Sequence, residues 1–339
     1  MSRKKRLSKT NIFIACEGTQ TEYWYFKAIK EALDEGDDFA LTIYPDKNNK
    51  EGNSRKQAKT DKIYTDHNSL CKKAIEQLSN NFCDEAWLVF DKDGHLGIEN
   101  TFEAAQKEGV RIAFSSIAFE HWVLLHFEKN DTTFVKSDCK DAKKHYLYCG
   151  TGKNEGDCQG TRCVAGHIRL KNYISHYDKS GGKLYSQISN RQFIAFENAA
   201  WLRWRKQADS QNANGKIYTL NPYSDVDILL KRLFKIEENI VWGSLNTPVH
   251  FRHFTLSIGY VGENLLVEIT NHSKSSEKLM PHHFFLSDEN LNQSPLKMDD
   301  FVFVGSQETV AFILTPTVFL SEKGFFNVKF DDSRLIVAL

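Results

Sequence analysis

Residues 85–94 read EAWLVFDKDG and residues 11–22 read NIFIACEGTQTE. Each is an apolar run that stops abruptly at carboxylates: Glu17 in one, the Asp-x-Asp pair Asp91 and Asp93 in the other. A strand buried on both faces is almost continuously apolar, and the crevice at the carboxyl end of such strands is where an open α/β sheet binds ligands. The pattern therefore predicts a parallel sheet with Glu17, Asp91 and Asp93 directed into one crevice. A few hard oxygen donors that leave room for water and a phosphate suit Mg2+ or Mn2+.

Outward from these two stretches, strand-like and helical patterns alternate. Strands are expected at 11–16, 39–44, 86–90 and 110–114, and helices at 22–33, roughly 55–78, 98–108 and 119–127. A repeating β-α order at this spacing predicts an α/β fold with a mostly parallel, Rossmann-like sheet and helices on both faces. In residues 131–182 the periodicity fades and lysines, glycines and tyrosines thicken, which reads as an insertion. Lys140, Lys143 and Lys144, interleaved with tyrosines, suit a phosphate backbone and stacked bases. Arg191, Arg203, Arg205 and Lys206 offer an alternative basic track. A helix from Gln187 through Trp204 closes this first domain, expected to span 1–235.

Beyond about Ile236 the texture is all-β. Seven short strands, at 254–258, 265–270, 282–286, 301–304, 310–314, 325–330 and 335–339, predict a β-sandwich over 236–339. No chemical constellation stands out in it, so docking or homo-oligomerisation is its expected role.

Across 339 residues, 44 Lys and Arg balance 44 Asp and Glu, so no net field draws the whole chain to nucleic acid or membrane and any basic surface must be local. No apolar stretch reaches the roughly 18 residues of a membrane span, and no signal-peptide core follows the start, so a soluble, cytoplasmic protein is expected. Seven cysteines without a small-scaffold pattern suit reduced thiols. Cys149, Cys158, Cys163 and His167 lack the close Cys-x-x-Cys pairs of a zinc site and read as free side chains. There is no Gly-x-x-x-x-Gly-Lys-[Ser/Thr] phosphate loop, so nucleotide hydrolysis would have to come from another chain.

The segments CEGTQTEYWYF, LVFDKDG and IAFSSIAFEHWVLLHF, in that order, with FENAAWL at 196–202, resemble the successive motifs of the RloB-like proteins. The resemblance covers roughly residues 8–205 and leaves out the β-rich end. It implies a catalytic region of the Toprim group, in which the motif glutamate assists proton transfer and the Asp-x-Asp carboxylates bind magnesium; Glu17, Asp91 and Asp93 match these positions. The nuclease branch adds acidic ligands and a lysine, for which Glu22, Glu120 and Lys183 are the candidates. Such proteins are typically encoded beside ATPases in bacterial anti-phage systems. The resemblance thus implies an abortive-infection nuclease acting on DNA or RNA, transfer RNA included, with an ABC-type or AAA-type ATPase as partner. The rival reading is a catalytically silent adaptor that holds an ATPase and a target protein. Strand passage is disfavoured, since nothing in the chain supplies the gate domains of a topoisomerase.

Overall fold

In the computed structural model of the chain, which describes residues 9–17, 21–33, 39–45, 66–93, 95–135, 160–174, 183–237, 239–288, 292–298, 301–317 and 324–339, two compact units are present, Met1–Phe234 and Lys235–Leu339. The first runs β1 (Thr10–Cys16), α1 (Thr21–Ala32), β2 (Phe39–Tyr44), α2 (His67–Ser79), β3 (Glu85–Asp91), α3 (Ile98–Lys107) and β4 (Arg111–Ser116). It continues with α4 (Glu120–Leu124), α5 (Val164–Leu170), α6 (Leu184–Ile188), α7 (Gln192–Arg205), α8 (Gln207–Asn212), β5 (Tyr223–Ser224) and α9 (Val226–Leu233). The strands form one sheet in the order β2-β1-β3-β4-β5, parallel throughout except for β5, which runs antiparallel to β4.

Burial explains the strands. Ile12 through Cys16 and Ala86 through Phe90 are buried without a break, as strands covered on both faces require. On one face Phe13, Ala15, Leu88, Phe90 and Phe114 pack against Leu70, Cys71 and Ala74 of α2 and Ala105 of α3. Each of the fully buried leucine and phenylalanine side chains among them contributes about 1.5–3 kcal/mol. Helices α1 and α9 pack against β2 and β4 and add nothing to that cluster, so they cover the other face. Helix α2 begins where Asp66 caps it, accepting from the Ser69 amide at 3.0 Å. The helical pattern expected from residue 55 is therefore described only from His67; residues 46–65 lie outside the described residues.

Two ties lock the far edge of this sheet. Asp225 Oδ1 accepts from the Phe114 amide at 2.6 Å, and its own amide donates to the Phe114 carbonyl at 3.1 Å. Arg203 of α7 grips the buried Asp227 of α9 with two hydrogen bonds of 2.6 and 2.8 Å and donates to the Ser224 carbonyl at 3.0 Å. The first holds β4, the neighbour of the strand that carries Asp91; the second ties α7 to β5 and α9.

The second unit holds β6 (Asn239–Ser244), β7 (Val249–Phe251), β8 (Phe254–Val261), β9 (Asn264–Asn271), β10 (Glu277–Leu279), β11 (Phe284–Ser287), β12 (Gln293–Lys297), β13 (Val302–Val304), β14 (Thr309–Pro316), β15 (Phe325–Phe330) and β16 (Ser333–Ala338). The expected number of seven strands needs correcting. Among the described residues, nine strands join into one sheet, β6-β16-β15-β11-β12-β14-β9-β8-β7, beside a β10-β13 pair. Strand β12 makes the join, pairing with β11 over Gln293–Pro295 and with β14 at Leu296 and Lys297. Pro295, with no N–H for a ladder, sits at that hand-over. Both halves of the sheet face one core, with Leu256, Ile258 and Val267 from one side and Leu286, Phe326 and Val337 from the other. Among the described residues, no helix is long and apolar enough to cross a membrane.

Candidate metal centre

The strand order places the site. The connection from β1 leads to β2 and that from β3 to β4, so the chain leaves the adjacent ends of β1 and β3 in opposite directions and opens a crevice between them. Glu17 follows the last residue of β1, and Asp91 is the last residue of β3. The Glu17 amide donates to the Val89 carbonyl at 2.8 Å, which carries the ladder one residue past the strand and sets the side chain at the lip.

Beyond β3 the backbone stays bound to β4. The Lys92 amide donates to the Ser115 carbonyl at 3.0 Å and the Asp93 amide to the Ile117 carbonyl at 2.9 Å. Asp91 Oδ2 accepts from the Phe119 amide at 3.2 Å, just ahead of α4, and the Asp91 amide donates to Glu17 Oε2 at 3.4 Å. Lys92 turns away to the Thr219 carbonyl, 3.1 Å from its Nζ. The His95 amide closes the turn on the Lys92 carbonyl at 2.8 Å, and His95 Nε2 comes within 2.8 Å of Glu17 Oε1.

The charges are crowded. Burial and then the carboxylates of Asp91, Asp93 and Asp66 push Glu17 up to about 8, against the partial relief of the Asp91 amide. Asp91 is raised well above the ordinary range by burial and by Glu22, Asp93 and Glu120. The Cys16 thiol rises through burial and the nearby Glu22. Glu22, in the first turn of α1, and Glu120, in the first turn of α4, are both buried, at 8% and 3% exposure. The fold thus brings Glu22, Asp93 and Glu120 into the electrostatic neighbourhood of Asp91, and Asp91 and Asp93 into that of Glu17. The rest of α4 is core: His121 and Trp122 are fully buried, and burial drives His121 down to about 4.

This donor set fits a divalent cation. One ligand atom each from Glu17, Asp91 and His95 lie within 4.8 Å of one another, which spans the roughly 3 to 4 Å between donors around a six-coordinate ion. A cation would offset the burial and charge crowding that raise Glu17 and Asp91. His95 was not among the residues picked out from sequence; the available signal was an imidazole four residues after Asp91 in the same turn.

The basic candidates fare differently. Lys140, Lys143 and Lys144 lie outside the described residues, as do Cys149 and Cys158. Lys183 is exposed at the start of α6, its carbonyl accepting from Ser186 Oγ at 2.9 Å; among the described residues no contact of Lys183 reaches the carboxylates. The alternative track is largely structural: Arg203 is committed to Asp227, Arg191 Nε donates to the His126 carbonyl at 2.7 Å, and Arg205 Nε donates to Asp131 at 3.2 Å. His167 pairs with Glu128 at 2.9 Å, and Cys163 caps α5, its Sγ accepting from the Gly166 amide at 3.4 Å.

A family model described as RloB-like protein matches residues 12–233, more than half of the chain, including Glu17, Glu22, Asp91, Asp93, His95 and Glu120. No curated protein matches. Among solved structures, the yjhA protein of Bacillus subtilis is similar at 11% identity over 28% of this chain and 98% of its own, with a TM-score of 0.24. CapF with the inhibitor 3-isopropenyl-tropolone is similar at 9% identity over 96% of this chain and 94% of its own, with a TM-score of 0.21.

Proposed function

The chain belongs to the RloB-like family, and on that premise we propose that its first unit is a Toprim-type catalytic domain, a Mg2+- or Mn2+-dependent nuclease that cleaves phosphodiester bonds as the effector of a bacterial anti-phage system. One observation carries this reading. Glu17 and Asp91 stand on adjacent strand ends at the point where the strand order reverses, and burial together with neighbouring carboxylates raises the pKa of both. Structural ion pairs do the opposite, holding carboxylates low; elevated carboxyl groups in a crevice mark a site built for a cation or a proton.

In this reading Asp91 and Asp93 hold the cation, with Glu17 beside them and Glu22 and Glu120 setting the surrounding charge. A divalent cation there would neutralise the scissile phosphate and lower the pKa of a water. Asp91 is fixed for the task by the Phe119 amide on Oδ2. Glu17 is the group that takes up and releases a proton, since its pKa of about 8 sits near the working pH of a general base. Lys140, Lys143, Lys144 and Lys183 are proposed to track the nucleic-acid backbone, and an ABC-type or AAA-type ATPase is the proposed partner.

The second unit favours one rival. It has its own core and lies beyond the family match, as a docking module would, so a silent adaptor is the alternative. Cleavage of DNA or RNA that disappears on chelation and in Asp91→Asn separates the two.

A further inference from the structure

The side chain at the mouth of the crevice that no carboxylate motif accounts for is His95. Its position is built, not incidental. The amide bond to the Lys92 carbonyl sets its backbone, and its ring meets the edge of His67 at 5.2 Å between centroids, at 70°. His67 is itself immobilised: it is buried, stacked on Phe90 at 5.6 Å, and its Nδ1 lies 2.7 Å from Thr101 Oγ1. A chain of packed rings from the core thus orients one imidazole, bringing Nε2 within 2.8 Å of Glu17 Oε1 and a ring nitrogen within 4.8 Å of an oxygen of Asp91. Outer partners that aim a ligand in this way are a recurrent part of metal sites.

We propose that His95 is a metal ligand, which makes the crevice a mixed oxygen and nitrogen site that takes a first-row transition cation, Mn2+, in preference to Mg2+. The inference rests on the metal-centre reading of the same crevice and names its cation. Mg2+ is hard and gives up water reluctantly, whereas an imidazole nitrogen raises affinity for first-row transition ions. A site of carboxylates alone has no such bias. Glu17, Asp91 and His95 supply three donors and leave the remaining positions to Asp93, water and a phosphate oxygen.

The test is pulsed electron paramagnetic resonance on the metal-free full chain loaded with Mn2+, alongside titrations of Mn2+ and Mg2+. Nitrogen coupling to Mn2+ is expected in the wild type and in His67→Phe, and is expected to vanish in His95→Gln. His95→Gln should weaken Mn2+ binding by roughly tenfold or more, given that even outer-shell partners carry ~10–100-fold, and change Mg2+ binding far less. His95→Asp, which returns an oxygen donor, should restore Mn2+ binding without nitrogen coupling. Mn2+ bound with no nitrogen coupling, or coupling that survives His95→Gln, overturns the inference and leaves a carboxylate-only centre standing. Nitrogen coupling in a chain that cleaves no nucleic acid supports the ligand and contradicts the nuclease. A wild type that binds no Mn2+ overturns both.

Discussion

Nε2 of His95 stands 2.8 Å from Oε1 of Glu17, across the gap between the turn after β3 and the end of β1. Two lone-pair atoms that close require a proton between them. That proton must leave the gap, to solvent or to Nδ1 of the ring, before both atoms can face one cation.

The first prediction follows from the Glu17 carboxyl, which keeps a proton in the folded, metal-free chain up to about pH 8, while the unfolded chain loses it in the ordinary carboxylate range. A raised carboxyl pKa means stability that is present at low pH and lost as pH rises through about 8. Cation binding should accordingly release protons and tighten as pH rises over the same window. Calorimetric titrations of Mn2+ in buffers of different ionisation enthalpy count them. Glu17→Gln should release fewer protons and, as a lost base or ligand, lower any cleavage rate by at least ~100-fold.

Asp91→Asn should abolish cleavage and yet make the metal-free chain more stable. Asparagine keeps an acceptor for the Phe119 amide and removes a carboxyl whose ionisation burial and then Glu22, Asp93 and Glu120 oppose. A melting temperature a few degrees above wild type without metal, on the order of 1 kcal/mol, together with loss of the stabilisation by Mn2+, is the expected result. A variant that melts lower without metal would mean the carboxylate is held by partners, not strained by neighbours.

Asp225 makes a separate pH prediction. Burial is the largest cause of its rise to about 7, with Asp227 adding and the Phe114 amide and Arg203 opposing. Its contribution to stability is therefore full below the ordinary carboxylate range and is lost as pH rises through about 7. Asp225→Asn keeps the acceptor for the Phe114 amide, so it should flatten the fall in stability between pH 5 and 8. Denaturant midpoints across that range decide; equal slopes in wild type and variant would contradict the assignment.

The two units should part cleanly. A chain ending at Phe234 keeps every residue of the crevice and the cluster around Phe13, Leu88 and Phe114, so it should bind Mn2+ as the full chain does and lose the ability to hold a partner or a second copy. Size-exclusion chromatography with and without the ATPase reads that association. Aggregation of the shorter chain would mean that the second unit covers its apolar surface.

Replacing Lys140, Lys143 and Lys144 with glutamine should weaken nucleic-acid binding and flatten its salt dependence, by about 0.7 to 0.9 in slope for each phosphate no longer neutralised. Cation binding should be unchanged. An unaltered slope would place the nucleic-acid track elsewhere.

The parts of this fold legible from sequence were those whose physics is local. Ile12 through Cys16 and Ala86 through Phe90 are apolar without a break because both faces of their strands are covered, and the carboxylates that end them mark the sheet's rim. Strands such as β7, β10 and β12 were illegible, being short and half-exposed; QSPLK at Gln293–Lys297 even carries a proline. The nearness of Glu22 and Glu120 to Asp91 depends on where α1 and α4 begin in space, which no spacing encodes. His95 went unread because a histidine in a turn has no periodicity to betray it, and its orientation comes from His67, on a helix before β3.

The central claim is that the carboxylate crevice cleaves phosphodiesters with a bound cation. Its most direct measurement is of purified full chain, with Mn2+ or Mg2+ and with or without the ATPase, offered DNA and RNA pools that include transfer RNA. The account predicts cleavage of at least one pool by the wild type, none after chelation, and none by the Asp91→Asn, Asp93→Asn double variant. Cleavage that persists in the double variant, or a wild type that binds the cation and cuts nothing in any pool, would contradict it.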